Sequence, residues 1–459
     1  GVETKPVKMR SKLRQAELHL DVFRKRKNIF QMYVYAAENR RSIWYTGAKH
    51  TKEQNMYIKL PEDVDYIITR LTEYGYEAYA VGGCVRDSII CRVPGDWDIT
   101  TSAKPWEVKK LFRRTVDTGI EHGTVTVMMG NEGYEVTTYR IDGEYEDSRH
   151  PKNVEFTSNL REDLKRRDFT INAMAYNYSQ GIVDMFDGKG DIERKIIRCV
   201  GNPEERFTED ALRMLRAVRF SAQLGYEIAE ETADAVKKLA GTISKISKER
   251  IHTELNKILL SDHPDYLMKA MELGITEIVF SALNDLPDKE TAMKLLIRLP
   301  KELVYRYGAV LFELGKKRTV AVLRELKLDN NTIDNTGRLV DMHGMEITED
   351  KPLIRHQASS CGAAMYEMVL RFEYEFYMAA DDRDKAMALK KQEALFKEIL
   401  ENGDCLTLKE LAVTGNDLIE AGIHPGKEIG NILKSMLDDV LNTPEHNTKK
   451  YLFDNHLHI

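Results

Sequence analysis

"PGDWDITTSA", residues 94–103, sets two aspartates one residue apart between a Pro-Gly turn and a β-branched run. Side chains along a strand alternate between its faces, so Asp96 and Asp98 are expected on one side and Trp97 on the other, toward a core. Two carboxylates sharing a face repel each other, and a divalent cation relieves that repulsion. Hard oxygen donors favour Mg²⁺, which keeps waters and takes substrate phosphates as its remaining ligands. The turn would put the pair at the start of a strand beside an open cleft; a solvated acidic loop is the competing reading at this point.

The flanking sequence decides between them. Upstream, "VGGCVRD" (81–87) runs from a strand through Gly82-Gly83 into a helix, a geometry in which backbone N–H groups approach a phosphate while Arg86 supplies charge. Downstream, "GYEVTTYRI" (133–141) offers Glu135 on a strand, with Tyr134 and Val136 on the opposite face. Three carboxylates are a common means of holding two metals for in-line displacement at phosphorus.

Outward from this centre, "LPEDVDYIITRLTEYG" (60–75) spaces Val64, Ile67, Ile68 and Leu71 at helical intervals, and Gly75 ends the pattern. "EAYAVGG", "DWDITT", "GTVTVMM" and "YEVTTYRI" read as strands, with "PWEVKKLFRR" as a helix between them. Residues 57–198 are therefore expected to form a small α/β domain. After Pro203 the strand signals nearly vanish, and amphipathic helices such as "TEDALRMLRAVRFSAQLG" (208–225) and "SKERIHTELNKILLS" (247–261) follow one another, separated by Gly, Pro or Asn. No fixed-period repeat is evident.

The 459 residues, 42% hydrophobic and 31% charged, describe an ordinary globular chain. No apolar stretch reaches the roughly 18 residues that cross a bilayer, and the N-terminus lacks a signal-peptide core, so a cytoplasmic protein without membrane partners is expected. The five cysteines, Cys84, Cys91, Cys199, Cys361 and Cys405, are scattered and never spaced CxxC. They are expected to be reduced, buried, small apolar residues rather than a disulfide frame or zinc site. A net charge of −6 conceals a basic start, with fourteen Lys/Arg against five acids in residues 1–60.

The run "AYAVGGCVRDSIICRVPGDWDITTSAKP", followed in order by "EDLKRRDFTINAMAYN", "EDALRMLRAVRFSAQLGYEI" and "ISKERIHTELNKIL", resembles the bacterial-type (class II) tRNA nucleotidyltransferases, the CCA-adding enzymes, and the related bacterial poly(A) polymerases. The resemblance extends from Met56 to about residue 450, including "LAVTGNDLIEAGIHPGKEIGNIL" near the end. It implies an α/β nucleotidyltransferase head followed by an all-α elongated half. The segments expected are a basic extension (1–56), the catalytic head (57–198), a base-recognition neck (199–265), a helical body (266–335) and a tRNA-binding tail (336–459).

The resemblance also implies roles. Asp96 and Asp98, with Glu135 as third carboxylate, would bind two Mg²⁺ ions. Gly82, Gly83 and Arg86 would meet the triphosphate, and Arg167 is a further nucleotide contact, although an ion pair with Asp163 or Asp168 is an alternative for it. Cytosine and adenine both present an exocyclic amine beside a ring-nitrogen acceptor, whereas guanine and uracil present a carbonyl there. A carboxylate with a guanidinium therefore selects C and A without a template. Asp210 and Arg213, at i and i+3 on one helix, are assigned that role, with Arg216 and Arg219 as nearby contacts. The expected substrates are CTP and ATP, and the expected partner is tRNA, its acceptor stem at the head and its elbow at the tail, bound by a monomer or weak dimer. A full-length Gly-, Ser- and charge-rich loop between Arg140 and Arg167 favours an enzyme that finishes with A. Polyadenylation, partial CC- or A-addition, and non-catalytic RNA binding are the alternatives.

Two departures stand out. Where some relatives carry a His-Asp metal pair, this chain has Phe312 and Glu313, so no phosphohydrolase activity is expected. Residues 1–55 are unmatched and read as accessory. Their deletion should leave tRNA affinity unchanged across a salt titration; a shallower salt dependence in the truncated protein would instead assign them phosphate contacts.

Overall fold

The computed structural model describes residues 57–143 and 154–457; the basic N-terminal extension and part of the loop between Arg140 and Arg167 lie outside the described residues. The first helix, Glu62–Glu73, buries Val64, Ile67, Ile68 and Leu71 and carries Glu62, Asp63 and Asp65 in its first turn, where the helix dipole favours acids. It packs on a mixed sheet.

The strands in chain order are β1 (Ala78–Val81), β2 (Asp98–Thr101), β3 (Thr115–Gly119), β4 (Thr124–Met129), β5 (Glu132–Thr138), β6 (Arg140–Asp142), β7 (Val154–Phe156), β8 (Met174–Asn177) and β9 (Gly181–Asp184). Seven of them form one sheet in the order β3-β4-β5-β2-β1-β8-β9, while β6 and β7 pair as a separate antiparallel ribbon. Within the seven-stranded sheet only β2 and β5 run parallel. Both faces of β1 are covered. Ala78 and Ala80 join the main core, whereas Tyr79 and Val81 join a smaller cluster with Tyr139, Leu160, Leu164 and Val200.

β3 is the sheet's polar edge strand, with exposed Val116, Asp117 and Thr118, so it lacked the alternation that revealed the other strands. β8 and β9 likewise fell outside the strand signals noted in the sequence. A two-residue parallel pair, Ile196–Ile197 with Glu227–Ile228, ties the end of the sheet domain to the turn after the helix Leu212–Leu224. From Pro203 onward helices dominate as expected. The main core is continuous from Ile58 to Leu441, and residues between Cys405 and Leu452 form a further cluster of their own. Among the described residues no helix is long and apolar enough to cross a membrane. All five cysteines are free and four are buried; the expectation of burial fails at Cys91, exposed in the turn after the helix Gly83–Ile89.

One backbone position fixes the entry to the site. Gly82 ends β1 at φ +85°, ψ −130°, a region that L-residues avoid, and a Cβ there would lie 2.9 Å from an Arg167 guanidinium nitrogen. Gly83, by contrast, would accept a Cβ at ordinary contact distance. Gly82→Ala should therefore destabilise the protein by about 2 kcal/mol in thermal or denaturant unfolding, whereas Gly83→Ala should have a smaller effect.

Candidate active site

β2 begins at Asp98, not at Asp96. The antiparallel pairing with β1 runs from Ala78↔Thr101 to Val81↔Asp98, and Gly82 then turns β1 away, so the residues before Asp98 have no partner on that strand. Asp96 thus sits on the turn leading into the strand, exposed, and Trp97 packs half-buried against the core. On the other side of β2 the parallel register pairs Ile99 with Val136. One residue earlier on each strand stand Asp98 and Glu135, side by side on neighbouring strands roughly 4.8 Å apart. Val136 and Ile99 are fully buried behind them, which locks the register.

Asp96, Asp98, Glu132 and Glu135 line one cavity of about 730 Å³ with Pro61, Trp97 and Tyr134. Asp98 and Glu135 also border a second cavity of about 210 Å³, whose other walls include Arg140, Arg166 and Arg167. The carboxylate pair therefore separates an acidic recess from one lined by arginines. Burial, and then the charge of Asp96, raises the Asp98 carboxyl above its ordinary range, with Arg167 opposing. Burial, with Asp98 and Asp96, raises Glu135. Among the described residues no three ligating side chains are arranged to cage a metal by themselves. An open, all-oxygen set of this kind suits Mg²⁺, which relies on water and phosphate for its remaining ligands.

The arginines fall into two groups. Arg166 is held by Asp163, which accepts from its Nε and Nη2 at 3.0 and 2.8 Å. Arg167 lies 3.7 Å from the same carboxylate, and its buried Nε has no hydrogen-bond partner among the described residues. Of the alternatives for Arg167, the pairing with Asp163 is thus long and incomplete, and the same residue lines the arginine-rich cavity. Arg86 borders neither cavity: Nε and Nη2 donate to Asp87 at 2.9 and 2.8 Å, and Nη1 donates to Asn172 Oδ1 at 2.6 Å.

The helix expected to carry Asp210 and Arg213 together begins only at Leu212. Asp210 occupies the break after the helix Pro203–Glu209, where Oδ1 accepts from Leu212 N at 3.0 Å and Oδ2 from Arg250 Nη2 at 2.7 Å. Arg213 donates to Glu209 at 2.6 Å and to the Arg166 carbonyl at 3.1 Å. The two are one turn apart but do not share a single helix face, because Asp210 lies in the break before the helix instead of on it. Arg216 donates to buried Asp168 at 2.8 and 2.5 Å, and Arg219 pairs with Glu254 at 2.7 Å. Although burial opposes ionisation, Arg216 and Asn172 hold Asp168 well below the usual carboxylate range.

Arg250, Glu209 and Glu254 were not singled out in the sequence. Arg250 and Glu254 lie in "SKERIHTELNKILLS", some forty residues from the groups they hold, and spacing alone gives no sign of such pairing. Phe312 is buried in a ring cluster with His343, Phe372 and Phe376, and Glu313 is exposed.

A family profile described as "Poly A polymerase head domain" matches residues 78–198, one described as "Probable RNA and SrmB- binding site of polymerase A" matches 225–286, and a tRNA nucleotidyltransferase domain 2 profile matches 306–455. The CCA-adding enzyme of Limosilactobacillus fermentum is 37% identical over 388 residues, spanning 82% of this chain and 91% of that protein. The chain belongs to the CCA-adding enzyme family. The Levilactobacillus brevis CCA-adding enzyme is 38% identical, over 82% of this chain and 92% of its own length. The crystal structure of the Bacillus stearothermophilus CCA-adding enzyme in complex with CTP superposes with a TM-score of 0.70 at 33% identity, covering 85% of this chain and 95% of that one. Family membership carries with it the α/β head and helical half described above.

Because the acidic pair is crowded and partly desolvated, neutralising one member should stabilise the metal-free protein. Asp98→Asn is expected to raise Tm by about 2 °C in EDTA. An unchanged or lower Tm would mean that the carboxylates do not strain one another.

Proposed function

We propose that this chain adds CCA to the 3′ end of tRNA from CTP and ATP, without a nucleic-acid template, in the cytoplasm and as a monomer or weak dimer. The observation that carries this reading is the β2–β5 register, which sets Asp98 beside Glu135 between an acidic cavity and an arginine-lined one. Membership of a family whose curated relatives are named CCA-adding enzymes supports the choice of product over polyadenylation.

In this reading Asp96, Asp98 and Glu135 would hold two Mg²⁺ ions, which when bound would supply charge neutralisation and lower the pKa of the RNA 3′-hydroxyl. The 3′-hydroxyl gives its proton to solvent as its oxygen bonds to the α-phosphorus, and the bond to pyrophosphate breaks, pyrophosphate leaving with the electron pair. Arg167 and its cavity neighbours Arg140 and Arg166 orient the triphosphate. The Gly82-Gly83 turn brings backbone close to it, and Arg86, committed to Asp87 and Asn172, holds that turn from behind. Asp210 and Arg213 read the amine and ring nitrogen shared by C and A. A carboxylate has about four lone-pair sites, so Asp210 can accept from a base while Arg250 and Leu212 N hold it. Residues 336–459 form the tail that meets the tRNA elbow.

The test is an incubation of tRNA ending at the discriminator base with CTP, ATP or both, product lengths being read on a gel. Three added residues and a stop are expected; a long A ladder would make the protein a poly(A) polymerase, and two added residues a CC-adding enzyme. Asp96→Ala should reduce incorporation by at least about 10³-fold while tRNA affinity stays within about twofold.

A further inference from the structure

Between the glycine turn of the head and the helix Leu212–Leu224 lies a compact array of charge, of which the reaction scheme uses only Arg86 and its partners. Arg86, on the helix Gly83–Ile89, stands 5.1 Å from the centre of the Phe220 ring. Arg216 and Arg219, on the same helix as Phe220, stand 5.4 and 3.9 Å from that centre. The ring is 5% exposed and also meets Phe169 edge-on at 5.7 Å. Three guanidiniums around one buried ring repel one another. That repulsion is offset by the π-electron density of the ring and by Asp87, Asp168 and Glu254, each paired to one arginine. A continuous chain of polar bonds closes the array: Asn172 accepts from Arg86 at 2.6 Å and donates to Asp168 at 3.1 Å, and Asp168 accepts from Arg216.

We infer that Phe220 is a positioning residue for nucleotide binding: its ring is the shared platform on which an arginine of the phosphate-binding turn and two arginines of the base-reading helix are fixed against one another. The inference rests on the proposed nucleotidyl transfer and deepens it. Phosphate and base of one nucleotide are met by different elements, Gly82-Gly83 and Arg167 on one side and Asp210 and Arg213 on the other. Their separation must match the nucleotide. Arg86 is the contact through which the ring reaches the first element, while Arg216 and Arg219 lie one and two turns beyond Arg213. An aliphatic side chain at 220 would fill much of the same space yet offer no π-face to the cations, so the two elements would no longer be held in a single register.

The test uses the full chain with Phe220→Leu and Phe220→Tyr, measuring kcat and KM for CTP on tRNA lacking CCA and for ATP on tRNA ending in CC, together with UTP misincorporation. Phe220→Leu is expected to raise both KM values about tenfold with kcat within about twofold, and to raise the UTP-to-CTP incorporation ratio. Phe220→Tyr, which keeps the ring, should stay within about twofold of the parent KM. A merely destabilised protein loses active fraction, lowering kcat for every nucleotide and leaving KM and the ratio unchanged. That result, an unaltered Phe220→Leu enzyme, or a Tyr variant that behaves like Leu would each overturn the inference. If Phe220→Leu fails to fold, Phe220→Met is judged by the same KM criterion. Parent protein that adds no nucleotide would instead defeat the underlying functional reading.

Discussion

The structure turns on an electrostatic conflict that the fold imposes. Parallel pairing of β2 with β5 is fixed by buried Ile99 and Val136, and it brings Asp98 and Glu135 together with Asp96 close by. Hydrophobic register costs little to maintain, whereas a one-residue slip would turn each strand's buried face outward. The core therefore holds the carboxylates in place against their mutual repulsion. Burial raises the affinity of Asp98 and Glu135 for protons, and neighbouring acids, Asp96 for the first and Asp98 with Asp96 for the second, add to it. A bound cation offsets it directly, which ties the stability of the apo fold to the chemistry of the site.

Around this centre the remaining polar groups fall into layers. Arg167 lines the arginine-rich cavity. Behind it Asp163 anchors Arg166, and the Arg166 carbonyl receives Arg213 from the following helix. Arg213, a proposed base-reading group, is thus connected to the sheet through one short segment, residues 163–172. Asp168 and Asn172 extend the same connection toward Arg216 and Arg86. Such buried hydrogen-bonded networks are sensitive to the loss of any member, and this one joins the helix Leu212–Leu224 to the proposed active site.

Much of this was legible in the sequence because the decisive signals are local. The Gly82-Gly83 turn, the alternation around Glu135, the helical spacing of Val64 to Leu71 and the change of texture after Pro203 each depend on neighbouring residues. What was not legible depends on partners distant in the chain. The start of β2 at Asp98 is set by where β1 ends. Asp210 was expected on a helix face, yet it lies in the break between two helices and is held by Arg250, forty residues away. Arg86 was expected at the triphosphate, but its guanidinium is bound to Asp87 and Asn172. The edge strand β3 was missed because an exposed strand has no apolar face to display.

The central claim is that Asp98 and Glu135 are brought together to hold divalent cations beside a bound nucleotide. Counting Mn²⁺ bound per chain by electron paramagnetic resonance, with a non-hydrolysable CTP analogue present, tests it most directly. The account predicts two ions in the parent protein and loss of tight binding in Glu135→Gln. Mn²⁺ binding that is absent from the parent, or indifferent to that substitution, would contradict it.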